Sequence, residues 1–433
     1  MELNIMIEKL LKQALKTIVS IGLSFSVVAI LIGISPTTSS HAQERPLVVA
    51  WLFNGQLWVA DASGDATLLD DGYVLQATLS PNQDYIASII NRGTSQADIL
   101  EVIDIKTGES VLTLESETLP ITNENERLGF SRPVWIDDST IWFNTIGLFD
   151  GPPGFANRND IYQVDLEGNL TEQFAAGTGG AMVLSPDRNK IAITRAGEYQ
   201  NPNTLSVIQI IDTVTGEDIS DIFEFPAVAT GSEATWSPSI QWNTDNTTIS
   251  FAIPTPDLIY ATDSLPPTQL CTLPIEGSVT CSDEQMSYPA QPLWNDDLTR
   301  IAFERQTFNS DNFNNREIVL GEYTAESVAN LVILPPDDNL PQPLLWLDDN
   351  TLLFQTTFSP PPNLYSASLQ SHETQLWQPD GRIVLNLQQV NATTFLIATG
   401  EYAEITVSIY NLDQNTFRDL GTFADGFINF VER

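Results

Sequence analysis

Leu79-Ser-Pro-Asn-Gln-Asp-Tyr-Ile-Ala-Ser-Ile-Ile90 reads as a tight turn feeding a short strand that is apolar at nearly every position. Ser-Pro-Asn opens a turn because Pro presets its own φ while Ser and Asn bond back to the local backbone. The residues that follow are rich in β-branched side chains. A run without polar alternation marks a strand covered on both faces. The pattern returns as Leu184-Ser-Pro-Asp-Arg-Asn-Lys-Ile-Ala-Ile193 and as Trp294-Asn-Asp-Asp-Leu-Thr-Arg-Ile-Ala-Phe303. Looser copies run over Trp135–Phe143, Trp242–Phe251 and Trp346–Phe354, and a seventh over Val390–Ile397.

A second, alternating strand accompanies these runs and closes on a turn bearing Gly, Asp or Asn. Clear examples are Leu57–Gly64, Leu100–Gly108, Ile161–Gly168, Val207–Gly216 and Leu270–Gly277. Fainter ones are Ile318–Ala325, Leu364–Ser371 and Val407–Gln414. The spacing is about 50 residues, the size of a four-stranded blade. One such unit cannot cover both of its own faces. Units packed radially bury each sheet against the next and leave only short edges. The expectation is an all-β fold, a β-propeller of four-stranded blades, eight in number, or seven if one faint copy is a decoration. The first unit begins at its second strand, Leu47-Val-Val-Ala-Trp51, and Phe427–Val431 is a strand without a neighbour. That C-terminal strand is expected to become the innermost strand of the first blade and close the ring.

Ser-Pro-Asp/Asn, then Ile-Ala, then an Asp-x-x-x-Gly-type turn resembles the TolB-like (WD40-like) propeller repeat, which also occurs in propellers attached to prolyl-oligopeptidase-type peptidases. The likeness covers roughly residues 47–431 by repeat pattern. Ser80-Pro81 and Ser185-Pro186 carry the dipeptide in place, whereas Ser237-Pro238 lies early relative to Trp242. The resemblance implies a periplasmic protein that binds partners through its propeller. The separate N-terminal domain of TolB itself has no room here.

The N-terminus agrees with export. Lys9, Lys12 and Lys16 precede an apolar run, Ile18–Ile34, and Ser40 and Ala42 are small at the −3 and −1 places of a cut after Ala42. This is the layout of a secretory signal peptide, with an uncleaved anchor as the alternative. Residues 1–42 are therefore read as signal peptide and 43–433 as a single propeller domain, periplasmic or secreted. No Cys follows the apolar run to carry a lipid, and no second run is long enough to span a membrane.

The chain has 18 Lys and Arg against 56 Asp and Glu, a net charge of −38. That balance repels phosphate backbones and speaks against nucleic acid as a partner. Its plainest meaning is solubility. Beyond the signal segment the one histidine, His372, sits in a turn, and no Gly-x-Ser-x-Gly elbow, zinc pattern or phosphate-binding glycine loop occurs. No catalytic residue and no cofactor is assigned. Asp137-Asp138, Asp296-Asp297 and Asp348-Asp349 share one place in the repeat, which points to turn chemistry and not to a glycosidase pair. Calcium is the one ion considered, at the oxygen-rich Asn309–Asn315, although the spacing is not that of an EF-hand. Cys271 and Cys281 flank the turn at Glu276-Gly277; an even count in an exported chain predicts a disulfide. Taking Glu276-Gly277 as the tip sets 271 opposite 282, so one bulge is needed to align the thiols.

Loop length carries the functional expectation. Connections after the Ile-Ala strands are long, and in a propeller all connections of one kind emerge on one face. They hold Phe149, Phe155 and Arg158 in Gly147–Asp160, Tyr199 in Ala196–Asn203, and Tyr260 between Pro254 and Thr268. Phe308, Phe313 and Arg316 fall in Gln306–Arg316, Phe358 in Phe358–Asn363, and Tyr402 in Gly400–Glu404. Aromatics and Arg dominate binding hot spots, and long loops on a rigid scaffold are where function tends to sit. The expectation is an extracytoplasmic binding or scaffold protein, monomeric, whose partner is a protein, peptide or glycan. The alternative is a carbohydrate-active enzyme using carboxylates at the channel mouth.

Overall fold

A computed structural model describes residues 47–431 apart from 62–65, 93–96, 122–125, 151–153, 198–203, 230–234, 255–266, 285, 287–290, 310–311, 325–326, 334–340, 357–362, 402 and 425. The signal peptide expected over residues 1–42 lies outside the described residues. The chain from Val48 onward is one compact unit.

Eight antiparallel blades follow one another around a ring. In the second blade the strands run from the axis outward as Tyr73–Leu79, Tyr85–Asn91, Ile99–Asp104 and Ser110–Glu115. The first blade is built from both ends of the domain. Ile428–Phe430 pairs with Val49–Phe53, setting Trp51 opposite Phe430 and Phe53 opposite Ile428. Asn386 and Gln388 on the innermost strand of the eighth blade donate side-chain hydrogen bonds to the carbonyls of Ile428 and Val431, completing the circle. The third blade carries a short extra strand, Phe155–Asn157, and a two-stranded ribbon, Val228–Ala229 with Thr235–Trp236, stands between the fourth and fifth blades.

The core is a set of wedges between consecutive blades. Along Tyr85–Asn91, Ile86 and Ile90 pack toward the first blade while Ala87 and Ile89 pack toward the third. Both faces are dry, which is why the strand lacks polar alternation. The same geometry accounts for the small residue of Ile-Ala. Ala87, Ala192 and Ala302 share packed clusters with Trp135, Trp242 and Trp346 of the next blade. Those indoles donate back to the carbonyls of Thr78, Val183 and Leu293 at 3.0, 3.0 and 3.1 Å. Strict copies of the motif thus sit in even blades and the Trp copies in odd ones, as the two halves of one interlock.

The Ser-Pro-Asn turns are stitched by their own side chains. Ser80 Oγ accepts the N–H of Tyr85, Ser185 Oγ that of Lys190, and Asn295 Oδ1 that of Arg300. Gln83, Arg188, Asn246 and Leu298 take the left-handed conformation that closes each turn. Paired aspartates at this place do turn chemistry: Asp137, Asp297 and Asp348 accept the N–H two residues on. Asp138 and Asp349 reach instead to Asn82 N–H and Asn295 Nδ2 of the preceding blade.

Cys271 and Cys281 form a disulfide between the third and outermost strands of the fifth blade. They are direct partners in the ladder, with Thr272 opposite Thr280. The turn is therefore odd-numbered about Glu276, and the bulge expected from the sequence is not needed. Two further expectations change. Gln306–Arg316 is no loop: Arg300–Asn309 and Asn312–Thr324 continue as one long hairpin, with Gln306 opposite Arg316, because ladder pairing satisfies the backbone of this Asn-rich segment. Gly400–Glu404 is no long loop either: Gly400 pairs with Ile405 and Glu401 with Glu404 in the ladder of the eighth blade.

Candidate functional site

Antiparallel blades alternate their connections between the two ends of the ring. The short turns of one end are bonded blade to blade, as in Asp187 N–H to Asn246 Oδ1 and Val48 N–H to Gln83 Oε1. The opposite end holds the loops after each second strand and the entries to each innermost strand. Among the described residues four aromatic side chains are well exposed: Tyr73 at 60%, Phe149 at 41%, Phe155 at 44% and Phe427 at 73%. All four stand at this loop end. Tyr73 opens an innermost strand beside the Asn54-Gly55 turn, whose Gly55 carbonyl accepts Val74 N–H. Phe427 opens the closing strand and its N–H donates to Asn54 Oδ1. Phe149 and Phe155 share the loop of the third blade, joined by Phe149 N–H to Gly154 O.

That third-blade loop rests on a buried polar cluster. Arg158, only 10% exposed, lies 3.4 Å from Glu126 and 3.6 Å from the fully buried Asp160. Asp160 accepts Thr145 N–H at 2.8 Å and the Thr145 hydroxyl. Asn144 Nδ2 donates to the carbonyls of Asp160 and Gly180. Arg158 thus holds the loop from below rather than offering a free guanidinium. Burial, with Glu172 and Asp160 nearby, also pushes the Tyr162 phenol up.

Of the other anticipated residues, Tyr199, Tyr260, Phe358 and Tyr402 lie outside the described residues. Phe308, Phe313 and Arg316 are placed on the two strands of the long sixth-blade hairpin, of whose tip Ser310 and Asp311 are also outside the described set. Tyr73 and Phe427 do not stand out among the loop aromatics of the sequence because Tyr73 begins a strand and Phe427 directly precedes one. Their signal was position: an aromatic at or just before the first place of an innermost strand stands at the loop end.

The axis holds a cavity of about 1110 Å³ bordered by the innermost strands of the first five blades. Leu52, Leu75, Met182, Ile240 and Phe430 give it an apolar wall. Among the described residues no three His, Cys, Asp or Glu side chains gather into a metal-binding group.

No protein-family model matches the chain, and no curated protein does so. Solved structures do resemble it at low identity. A eukaryotic initiation factor structure aligns at 13% identity with a TM-score of 0.49, over 88% of this chain and 85% of that one. The β-propeller domain of the Trilobed protease from Pyrococcus furiosus aligns at 12% identity and a TM-score of 0.46, over 81% and 95%. An acylaminoacyl peptidase aligns at 14% identity and a TM-score of 0.43, over 67% of this chain and 45% of that one. The chain is a β-propeller of eight four-stranded blades.

Proposed function

We propose that the chain is an exported binding propeller of the TolB-like repeat type that captures a protein, peptide or glycan on its loop end. The observation that carries this reading is the gathering of Tyr73, Phe149, Phe155 and Phe427 at one end of the ring. Exposed aromatics on a rigid base supply contact area at small entropic cost. The disulfide supports an oxidising compartment, where such bonds persist. Among the described residues the channel wall carries no carboxylate, so the enzyme alternative gains no support there.

The test is capture from an envelope extract by immobilised protein, followed by a glycan panel. Phe149→Ala with Phe155→Ala, and separately Tyr73→Ala, should release the captured partner while thermal stability stays as in the parent, because exposed side chains contribute little to folding. Equal capture of that same partner by parent and variants would show that the loop end is not the binding surface.

A further inference from the structure

The channel cavity is chemically unlike the rest of the molecule. Its described wall carries two charged side chains, Arg132 and Arg188, and no Asp or Glu. This occurs in a chain with 56 acidic residues against 18 basic ones. A wall drawn at random from that composition would be acidic.

Arg132 is held in place by unusual means. Its backbone is left-handed, with φ of 52°, and Pro133 follows. Ladder register shifts between Ser131 and Val134, a bulge of the kind that re-aims a side chain. The Arg132 N–H donates to Gln76 Oε1 of the preceding blade at 2.8 Å, which fixes the bulge against its neighbour. Its guanidinium makes no hydrogen bond or ion pair with any described residue. Arg92, Arg127, Arg158, Arg305 and Arg382 all face carboxylates. Arg132 is open to the cavity, yet the protein crowds it enough that desolvation holds it below its ordinary value. Backbone strain of this kind persists where the surrounding structure over-determines it, and it clusters at ligand sites. Arg188 is partly committed: its Nη1 donates to the Trp135 carbonyl at 2.6 Å.

We propose that this channel is a binding site for a monovalent carboxylate on an apolar body, with Arg132 supplying the guanidinium fork. A planar guanidinium matches a carboxylate bidentately. The apolar wall, with Leu75, Met182 and Phe430, covers the remainder of the ligand. A dianion such as a phosphate monoester would pay twice for entering the field of a chain of net charge −38. The carboxylate belongs to a free organic acid or to the C-terminus of an apolar peptide. This inference goes beyond the loop-end reading and does not depend on it.

Calorimetric titration of the full chain decides it, using benzoate, benzamide and phenyl phosphate, and an N-acetylated Ala-Leu-Phe peptide with free or amidated C-terminus. Benzoate or the free-acid peptide should bind, benzamide and the amidated peptide should not, and phenyl phosphate should be weaker than benzoate. Tighter binding of the peptide acid identifies a chain end as the source; tighter benzoate identifies a free acid. Arg132→Gln should weaken carboxylate binding by at least about tenfold. Arg132→Lys, which keeps the charge and loses the fork, should recover part of the loss. Circular dichroism and the thermal midpoint verify that each variant is folded. Arg132→Gly, which suits the left-handed backbone, serves if Arg132→Gln does not fold. Absence of carboxylate binding at about 10 mM, equal binding of acid and amide, or undiminished binding by the folded Arg132 variant overturns the proposal.

Discussion

The Nε1 of Trp242 donates to the carbonyl oxygen of Val183 at 3.0 Å, tying the innermost strand of the fifth blade to that of the fourth. The ring is held at this contact by an indole lying in space that Ala192 leaves open. Trp242→Phe keeps a ring in the wedge and strands the Val183 carbonyl, a loss of about 1–3 kcal/mol. Trp242→Ala adds a cavity and should cost about 3–5 kcal/mol. Chemical denaturation of the two variants checks the order.

Reduction of Cys271–Cys281 should soften the fifth blade without opening the ring. The bond spans a short hairpin, for which chain-entropy arguments give roughly 2–3 kcal/mol. Cys271 is buried between the fourth and fifth blades, so Cys271→Ala with Cys281→Ser is the gentler replacement. A lowered thermal midpoint with an unchanged circular dichroism spectrum is the expected result.

Asp160 should matter far more than its place at the end of a loop suggests. Asp160→Ala leaves Thr145 N–H without its partner and Arg158 with Glu126 alone in a buried site. Removing one member of a buried pair costs about 3–5 kcal/mol. Asp160→Asn keeps the hydrogen-bond acceptor and should lose less. Hydrogen exchange should show the release concentrated in the third-blade loop that carries Phe149 and Phe155.

Acid should destabilise the fold. The Asn169 side chain and the N–H groups around it hold the Asp165 carboxyl down, Thr215 and Val214 N–H do so for Asp212, and Arg382 does so for Asp419. A carboxylate whose folded pKa lies below its unfolded one stabilises above the ordinary aspartate value. That contribution is lost as pH falls through the lowered value. Burial pushes Glu284 the other way, and its share grows as pH falls. Asp187 and Asp297 are also held low; with five lowered carboxyls against one raised among the described residues, the thermal midpoint should drop as pH goes from about 5 to about 3. Above that window, salt should raise it by screening the net charge. A midpoint that climbs steadily into acid contradicts this account.

The repeat was legible because a propeller writes itself into sequence at short range. Turn chemistry at Ser80-Pro81 and dry strands such as Tyr85–Asn91 need only local residues to declare themselves. The closing strand was legible too, since Val49–Phe53 lacks an inner neighbour in sequence and Ile428–Phe430 has none either. The alternation of Ala and Trp was visible but unread, because its meaning lies across a blade interface. The channel arginine was invisible for a stronger reason. Arg132 looks like any polar residue before a Pro, and only the bulge at Ser131–Val134 sets it on the axis. The direct pairing of Cys271 with Cys281 and the strand continuation through Gln306 were not legible, because both depend on turn geometry, which composition constrains weakly.

The pairing of Trp51 with Phe430 also fixes an order in time. A chain emerging from its N-terminus presents Val49–Phe53 first and its partner last. Throughout synthesis the strand bearing Trp51, Leu52 and Phe53 keeps one apolar edge unpaired, the state most prone to sticking to another chain. Completion of the ring is therefore the final event, and the interval before it is when this protein most needs a companion to shield that edge.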